Sequence, residues 1–284
     1  MARLNFKPML SATLTAELFP ELRFPLLLSP KLDGFRCVVW EGVAYSRNAK
    51  PIRNAFIQQW AAGKHNLDGE LIVGEPTGDN VFGRTSSGVT SAAGEPDFTY
   101  YHFDSPIRTV SPHMGVGDRI VLVPQHRILD VKALLHLEKI FLEEGYEGIM
   151  LRAPDGPYKH GRSTMREQYL MKFKRFVDGE AKVISLEEGR HNGNETFTDE
   201  LGRTKRQTLQ ENMSGSGMVG TLICLDLLWG EIRVSAGKMN HPTREHYWHN
   251  PTEIIGQIIH WRSFGYGTKD APRFARFYGT RGDV

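Results

Sequence analysis

Lys31 is the residue of this sequence whose type and setting best allow covalent chemistry. It follows an apolar run, Phe24-Pro-Leu-Leu-Leu-Ser-Pro, and opens the segment Lys31-Leu-Asp33-Gly-Phe-Arg36. A strand end near a core seldom carries a lysine without a use for it. An ordinary lysine is protonated at pH 7, and neutralising it costs about 4.6 kcal/mol. A neighbouring cation or partial burial lowers that cost and would make Lys31 a nucleophile. Standing alone, Lys31 reads better as a strand-end side chain reaching for water.

Companions follow it in a fixed order: Ser46-Arg47, Asp68-Gly-Glu70, Tyr101-His-Phe103-Asp104, Glu147-Gly-Ile-Met-Leu-Arg152 and Leu170-Met-Lys172-Phe-Lys174. Taken singly, these are a turn, a hairpin, core aromatics, a helix exit and a solvated basic strand. Taken together, they resemble the nucleotidyl motifs of the covalent nucleotidyltransferases, the ATP-dependent DNA ligases and mRNA-capping enzymes. The resemblance spans Lys7 to Lys174 and extends more weakly to the C-terminus. Lys7-Pro-Met-Leu before the catalytic strand, Glu147-Gly rather than Asp-Gly, and Tyr158-Lys-His-Gly-Arg162-Ser before Lys172 are similar to DNA ligases rather than capping enzymes. An RNA ligase or a GTP-using capping-type enzyme is the alternative within the class. A catalytically dead DNA-binding module is the alternative outside it, and would have no use for Lys31. With 30 residues before Lys31, neither an N-terminal DNA-binding domain nor the nicotinamide domain of NAD-dependent ligases is expected.

This resemblance implies an α+β fold: a nucleotidyltransferase (adenylation) domain of ATP-grasp-like antiparallel sheets and helices over residues 1–176, then a small OB-fold β-barrel over 177–284. It also implies roles. Lys31, in the motif with Asp33, would attack the α-phosphate of ATP and carry AMP. Phe103 would stack on adenine, with Ser29 and the Pro30–Leu32 backbone at its edge. Glu70 and Arg36 would hold the ribose region, and Arg47 the phosphate and the nick. Glu147, with Glu70, would bind Mg²⁺. Lys172 and Lys174, two apart on a strand, would share a face and clamp the α-phosphate. Arg152 would contribute nearby. A second cation beside Lys31 would also supply the pKa depression it needs. The tail Arg281-Gly-Asp283-Val resembles the ligases' sixth motif, Arg-x-Asp-Lys, with Val284 replacing the final lysine; Arg281 and Asp283 would orient pyrophosphate. The partner implied is nicked duplex DNA, gripped through its backbone.

The elements that must position these residues read as follows. Strands broken by turns precede a hairpin at Glu41-Gly42, and Asn54–Ala62 is a short helix. Asn66 to Gly74 is a strand beside a turn-forming Asp-Gly pair. Residues 73–97 read as a Gly/Ser/Thr-rich mobile loop. Asp130 caps a helix from Val131 to Glu144 that Gly145 stops. Beyond Phe176–Gly179 the texture becomes that of a small antiparallel barrel, and residues 73–97 and 189–217 are candidates for encircling DNA.

Composition agrees with a globular protein: 284 residues, 40% hydrophobic and 24% charged. That length suggests about two domains. The net charge of +2 says little about a polyanionic partner, but Lys159 to Arg175 holds six basic residues and one acid, Glu167. No apolar run is long enough for a membrane helix, and the N-terminus lacks a signal core. The two cysteines, Cys37 and Cys224, are too few for a four-cysteine zinc site or a disulfide framework. A cytoplasmic monomer with no membrane partner is expected.

Three patterns read as decoys. Gly215 to Gly220 matches a dinucleotide fingerprint by letters but is taken as a loop. His241, His246 and His249 lie among prolines that should break a helix, and read as a surface patch rather than a zinc site. Arg281-Gly-Asp283 spells an adhesion tripeptide, irrelevant without secretion.

Overall fold

The structure, a computed structural model, describes residues 4, 6–78, 80–108, 119–198, 204–207, 209–263 and 271–281. The chain folds into two compact units, Met1–Arg175 and Phe176–Val284. In chain order, the first holds β1 (Ala12–Thr13), β2 (Leu26–Pro30), β3 (Phe35–Trp40), β4 (Val43–Ser46), α1 (Ala55–Ala61), β5 (Leu67–Val73), α2 (Val81–Thr90) and β6 (Phe98–Asp104). It continues with β7 (Ile120–Leu122), β8 (His126–Ile128), α3 (Val131–Glu143), β9 (Ile149–Arg152) and β10 (Leu170–Phe173).

These strands form two five-stranded sheets, ordered β1-β10-β9-β2-β8 and β4-β3-β5-β6-β7. Pairing is antiparallel except for β1 with β10 and β6 with β7. The period of two along each strand decides what the site receives. In the first sheet Leu26, Leu28, Ile149, Leu151, Met171 and Phe173 are buried together with Leu134 and Phe141 of α3. The alternate residues Ser29, Met150, Arg152 and Lys172 line a cavity instead. In the second sheet Cys37, Leu67, Leu71 and Tyr100 pack with Ile57 of α1 and Val89 of α2. Arg36, Glu70 and Phe103 line the same cavity. Each large apolar side chain so buried contributes about 1.5–3 kcal/mol.

Helix α3 starts where Asp130 accepts a hydrogen bond from the Ala133 amide at 2.7 Å. Asn54 does the same for α1 through the Ile57 amide at 3.0 Å. It also donates to the carbonyls of Ser91 and Gly94 at 3.0 and 3.2 Å, and is fully buried. Asn54→Ala should therefore cost about 2 kcal/mol, more than a surface cap, because one fully buried side chain both caps α1 and holds the carbonyls of Ser91 and Gly94. A urea midpoint unchanged from wild type would contradict that.

Two expectations need correction here. The stretch 73–97 is not simply a loop, since it contains α2. Val81, Thr85 and Val89, four apart, are buried, and this packing overrides the poor helix propensity of Gly83 and Gly88. The Asp68-Gly69 pair lies inside β5 and makes no turn. The Asp68 carboxylate is taken up by Arg36 instead of its own backbone.

The second unit holds β11 (Val177–Asn192), β12 (Thr196–Thr198), β13 (Thr204–Arg206), β14 (Met213–Asp226), β15 (Gly230–Ser235), α4 (His241–His249), β16 (Ile258–Ser263) and β17 (Arg276–Thr280). Five strands close into a ring, β11-β14-β15-β17-β16, around Val183, Leu222, Val234, Ile259 and Trp261. The stretch Gly215–Gly220 belongs to β14 rather than to a loop, because it pairs along β11. The described residues of 189–217 likewise are largely strand, including the antiparallel pair β12 and β13. His241, His246 and His249 lie on one helix after all, capped by Asn240, with Pro242 in the first turn where no amide donor is needed. No helix among the described residues is long and apolar enough to cross a membrane.

Candidate active site

Lys31 sits immediately after β2. Its amide donates to the Gly148 carbonyl at 2.8 Å, and the Glu147 amide donates back to the Lys31 carbonyl at 3.2 Å. Two glycines make this approach possible. A Cβ on Gly34 would collide with the Leu71 carbonyl, so only glycine lets the chain after Lys31 cross β5 this closely. Gly148 has a φ of 147°, and a Cβ there would collide with the Phe173 carbonyl.

The Lys31 Nζ lies 2.5 Å from Glu147 Oε2, and the Lys174 Nζ donates to Glu147 Oε1 at 2.7 Å. Burial opposes ionisation of Glu147, yet Lys31 and Lys174 hold its carboxyl down at about 2. Burial also pushes the Lys31 ammonium down, but Glu147, Glu70 and Asp33 outweigh it and leave it above its ordinary value. This corrects the depression expected from the sequence: nearby carboxylates exceed the nearby cations. The depressed lysine is Lys172, pushed down by burial and then by Lys174, Lys31, Arg162 and Arg47. So dense a set of mutually repelling cations is a setting for a polyanion.

Ser29, Lys31, Arg36, Arg47, Glu70, Phe103, Arg152 and Lys172 all line one cavity of about 170 Å³, while Glu147 and Asp33 act on Lys31 from beside it and Lys174 is paired with Glu147. Its lining combines apolar side chains, Leu27, Leu32, Phe103, Val123 and Met150, with cations, Lys31, Arg36, Arg47, Arg162 and Lys172. A lining of both kinds matches a molecule that carries a flat apolar ring and phosphates.

Arg36 and Arg152 have committed partners. Arg36 donates to both oxygens of the fully buried Asp68, from Nε at 2.6 Å and a terminal nitrogen at 2.5 Å. Its guanidinium stands 4.6 Å from the centroid of the Phe103 ring. The Tyr158 hydroxyl donates to Asp68 at 2.7 Å and accepts from the Met9 amide at 3.1 Å. Arg152, on the first sheet, is salt-bridged to Asp104 at the end of β6 in the second. It therefore ties the two cavity walls together.

Burial pushes the Glu70 carboxyl up to about 7, against the pull of Lys31 and Arg36. No group of three or more His, Cys, Asp or Glu arranged for a metal occurs among the described residues. Glu70 and Glu147 both act on the Lys31 ammonium, and carboxylates are the donors that Mg²⁺ takes together with substrate phosphates and water. Arg281 lies in the second unit, where its amide donates to the Ile258 carbonyl at 3.1 Å. Asp283 lies outside the described residues.

The sequence reading left out Asp68, Asp104, Gln125 and Arg162 as site residues. Asp68, Asp104 and Arg162 stood inside the quoted motifs, and their charge was the available signal. Gln125 carried none, since only the β2–β8 pairing brings it to the cavity.

No family model matches the chain. Solved structures do. A crystal structure of Chlorella virus DNA ligase-adenylate is 29% identical, with a TM-score of 0.50, covering 98% of this chain and 99% of that one. A structure from work on Lig E DNA ligases, at 22% identity and a TM-score of 0.68, covers 98% of this chain and all (100%) of its own, and shows the shared fold. Among curated proteins, the DNA ligase of African swine fever virus (isolate Pig/Kenya/KEN-50/1950) is 32% identical over 68 residues, 24% of this chain. That match spans only 16% of the viral protein's length. The chain is thus similar, over nearly its whole length, to DNA ligases.

Proposed function

We propose that this protein is an ATP-dependent DNA ligase that seals nicks bearing a 5′-phosphate and a 3′-hydroxyl in duplex DNA. The observation that carries this reading is the placement of Lys31 in a cavity lined by both apolar side chains and cations, with a carboxylate against the lysine. The similarity to DNA ligase structures over nearly the whole chain supports it.

On this reading residues 1–176 are the adenylation domain and 177–284 an OB-fold, and the protein works as a cytoplasmic monomer. ATP is a substrate. Its adenine stacks on Phe103 with Ser29 at the edge, and Glu70 and Arg36 hold the ribose. Lys31, after losing a proton from Nζ to solvent water, attacks the α-phosphorus; the phosphorus–nitrogen bond forms as the bond to pyrophosphate breaks. Lys172 and Lys174 oppose the negative charge that develops on the phosphoryl oxygens, and Arg47 receives the phosphate of the nick. The 5′-phosphate oxygen of the nick then displaces Lys31 from AMP. Finally the 3′-hydroxyl oxygen attacks the 5′-phosphorus and AMP leaves. Glu147 and Glu70 would hold Mg²⁺, which would supply charge neutralisation at the phosphates. Arg281 and Asp283 would orient pyrophosphate in the first step.

Sealing of a labelled nicked DNA duplex, with ATP and Mg²⁺, tests the proposal. Conversion to full-length strand is expected. An enzyme that joins only nicked RNA, or charges itself only with GTP, would replace this reading with an RNA-ligase or capping-type one.

A further inference from the structure

Gln125 lines the cavity beside Phe103. Its side-chain Nε2 donates to the Phe103 main-chain carbonyl at 3.0 Å. A carbonyl oxygen can only accept, so this bond settles which way the amide points. Turning it over would set two oxygens against each other. The Oε1 atom is left as a fixed acceptor beside the ring on which a base would stack.

Strand register brings a second polar group next to it. Leu28 pairs with His126 between β2 and β8, so Ser29 and Gln125 are the next residues along, at the same edge. Ser29 lines the cavity too. A hydroxyl is both donor and acceptor, whereas Oε1 only accepts. The pair matches a base edge that presents an amine beside an unprotonated ring nitrogen, the edge of adenine. Guanine presents a carbonyl beside a ring N–H, and its O6 would face Oε1 oxygen to oxygen.

We infer that Gln125 is a specificity-determining residue, its Oε1 accepting from the 6-amino group of the purine and thereby selecting ATP over GTP. The inference rests on the ligase reading for the identity of the nucleotide, and adds the atom that reads it. Because Gln125 is exposed, the discrimination it supplies is moderate, about tenfold for one hydrogen bond in contact with water.

The test is equilibrium binding of ATP, GTP and purine riboside triphosphate, which lacks the 6-amino group, to the full-length protein and to Gln125→Leu. Binding is measured in EDTA, so that no covalent transfer intervenes. Wild type should bind ATP about tenfold more tightly than the purine analogue, and Gln125→Leu should bind the two alike. GTP should gain on ATP in the variant. Equal binding of ATP and the analogue by wild type, or a preference that survives in Gln125→Leu, would overturn the inference. Adenylate formation, read by mass after adding Mg²⁺, reports separately on the ligase reading.

Discussion

Replacing Lys31 by alanine is expected to lower nick sealing by a factor on the order of 10⁴ or more, the scale seen when a covalent nucleophile is removed. Lys174 is held on Glu147 at 2.7 Å, and the other cations of the cavity include arginines, which do not lose a proton. The fold should survive, because Glu147 keeps Lys174 as a counter-ion when Lys31 is gone. A nick that already carries AMP on its 5′-phosphate needs no lysine nucleophile. On that substrate the variant should stay within about tenfold of wild type. Loss of sealing on both substrates would make Lys31 a structural residue and sink the nucleophile assignment.

The second large effect concerns Asp68. It is fully buried and holds Arg36 through two hydrogen bonds, while the Arg36 side chain is only 15% exposed. Asp68→Asn strands a buried guanidinium and should cost about 3–5 kcal/mol. The double variant Arg36→Met with Asp68→Leu removes both charges and should recover most of that loss, since a buried ion pair contributes little net stability against apolar groups of similar volume. It should nevertheless seal poorly, because Arg36 also stands over the Phe103 ring. Denaturant midpoints of the three proteins, read beside their sealing rates, check this. A double variant as unstable as Asp68→Asn would mean that the pair is not the source of the cost.

What the sequence disclosed about this molecule, and what it withheld, follows from the range of the forces involved. Lys31-Leu-Asp33-Gly-Phe-Arg36 is a local feature, a strand exit followed by a turn. Helix α3 announced itself through its Asp130 cap and its apolar spacing, both properties of neighbours in sequence. Helix α2 was missed because Gly83, Gly88 and the serines between them argue for a loop. The four-residue spacing of Val81, Thr85 and Val89 was the signal to heed. His241 to His249 was misjudged because proline was weighed as a breaker without regard to its place in the first turn.

Partners far apart in the chain were less legible. Asp68 meets Tyr158, Asp104 meets Arg152, and Gln125 meets the Phe103 backbone only once the sheets are paired. The sign of the Lys31 shift was hidden for a different reason. It is the difference between burial and several opposed charges, and residue types alone do not weigh those against each other.

The central claim is that Lys31 carries AMP. The measurement that tests it most directly is mass mapping of the protein after incubation with ATP and Mg²⁺, followed by proteolysis. An increment of one AMP is expected on the peptide containing Lys31, discharged by pyrophosphate or by nicked DNA and absent from Lys31→Ala. AMP found on another residue, or still attached to Lys31→Ala, would contradict it.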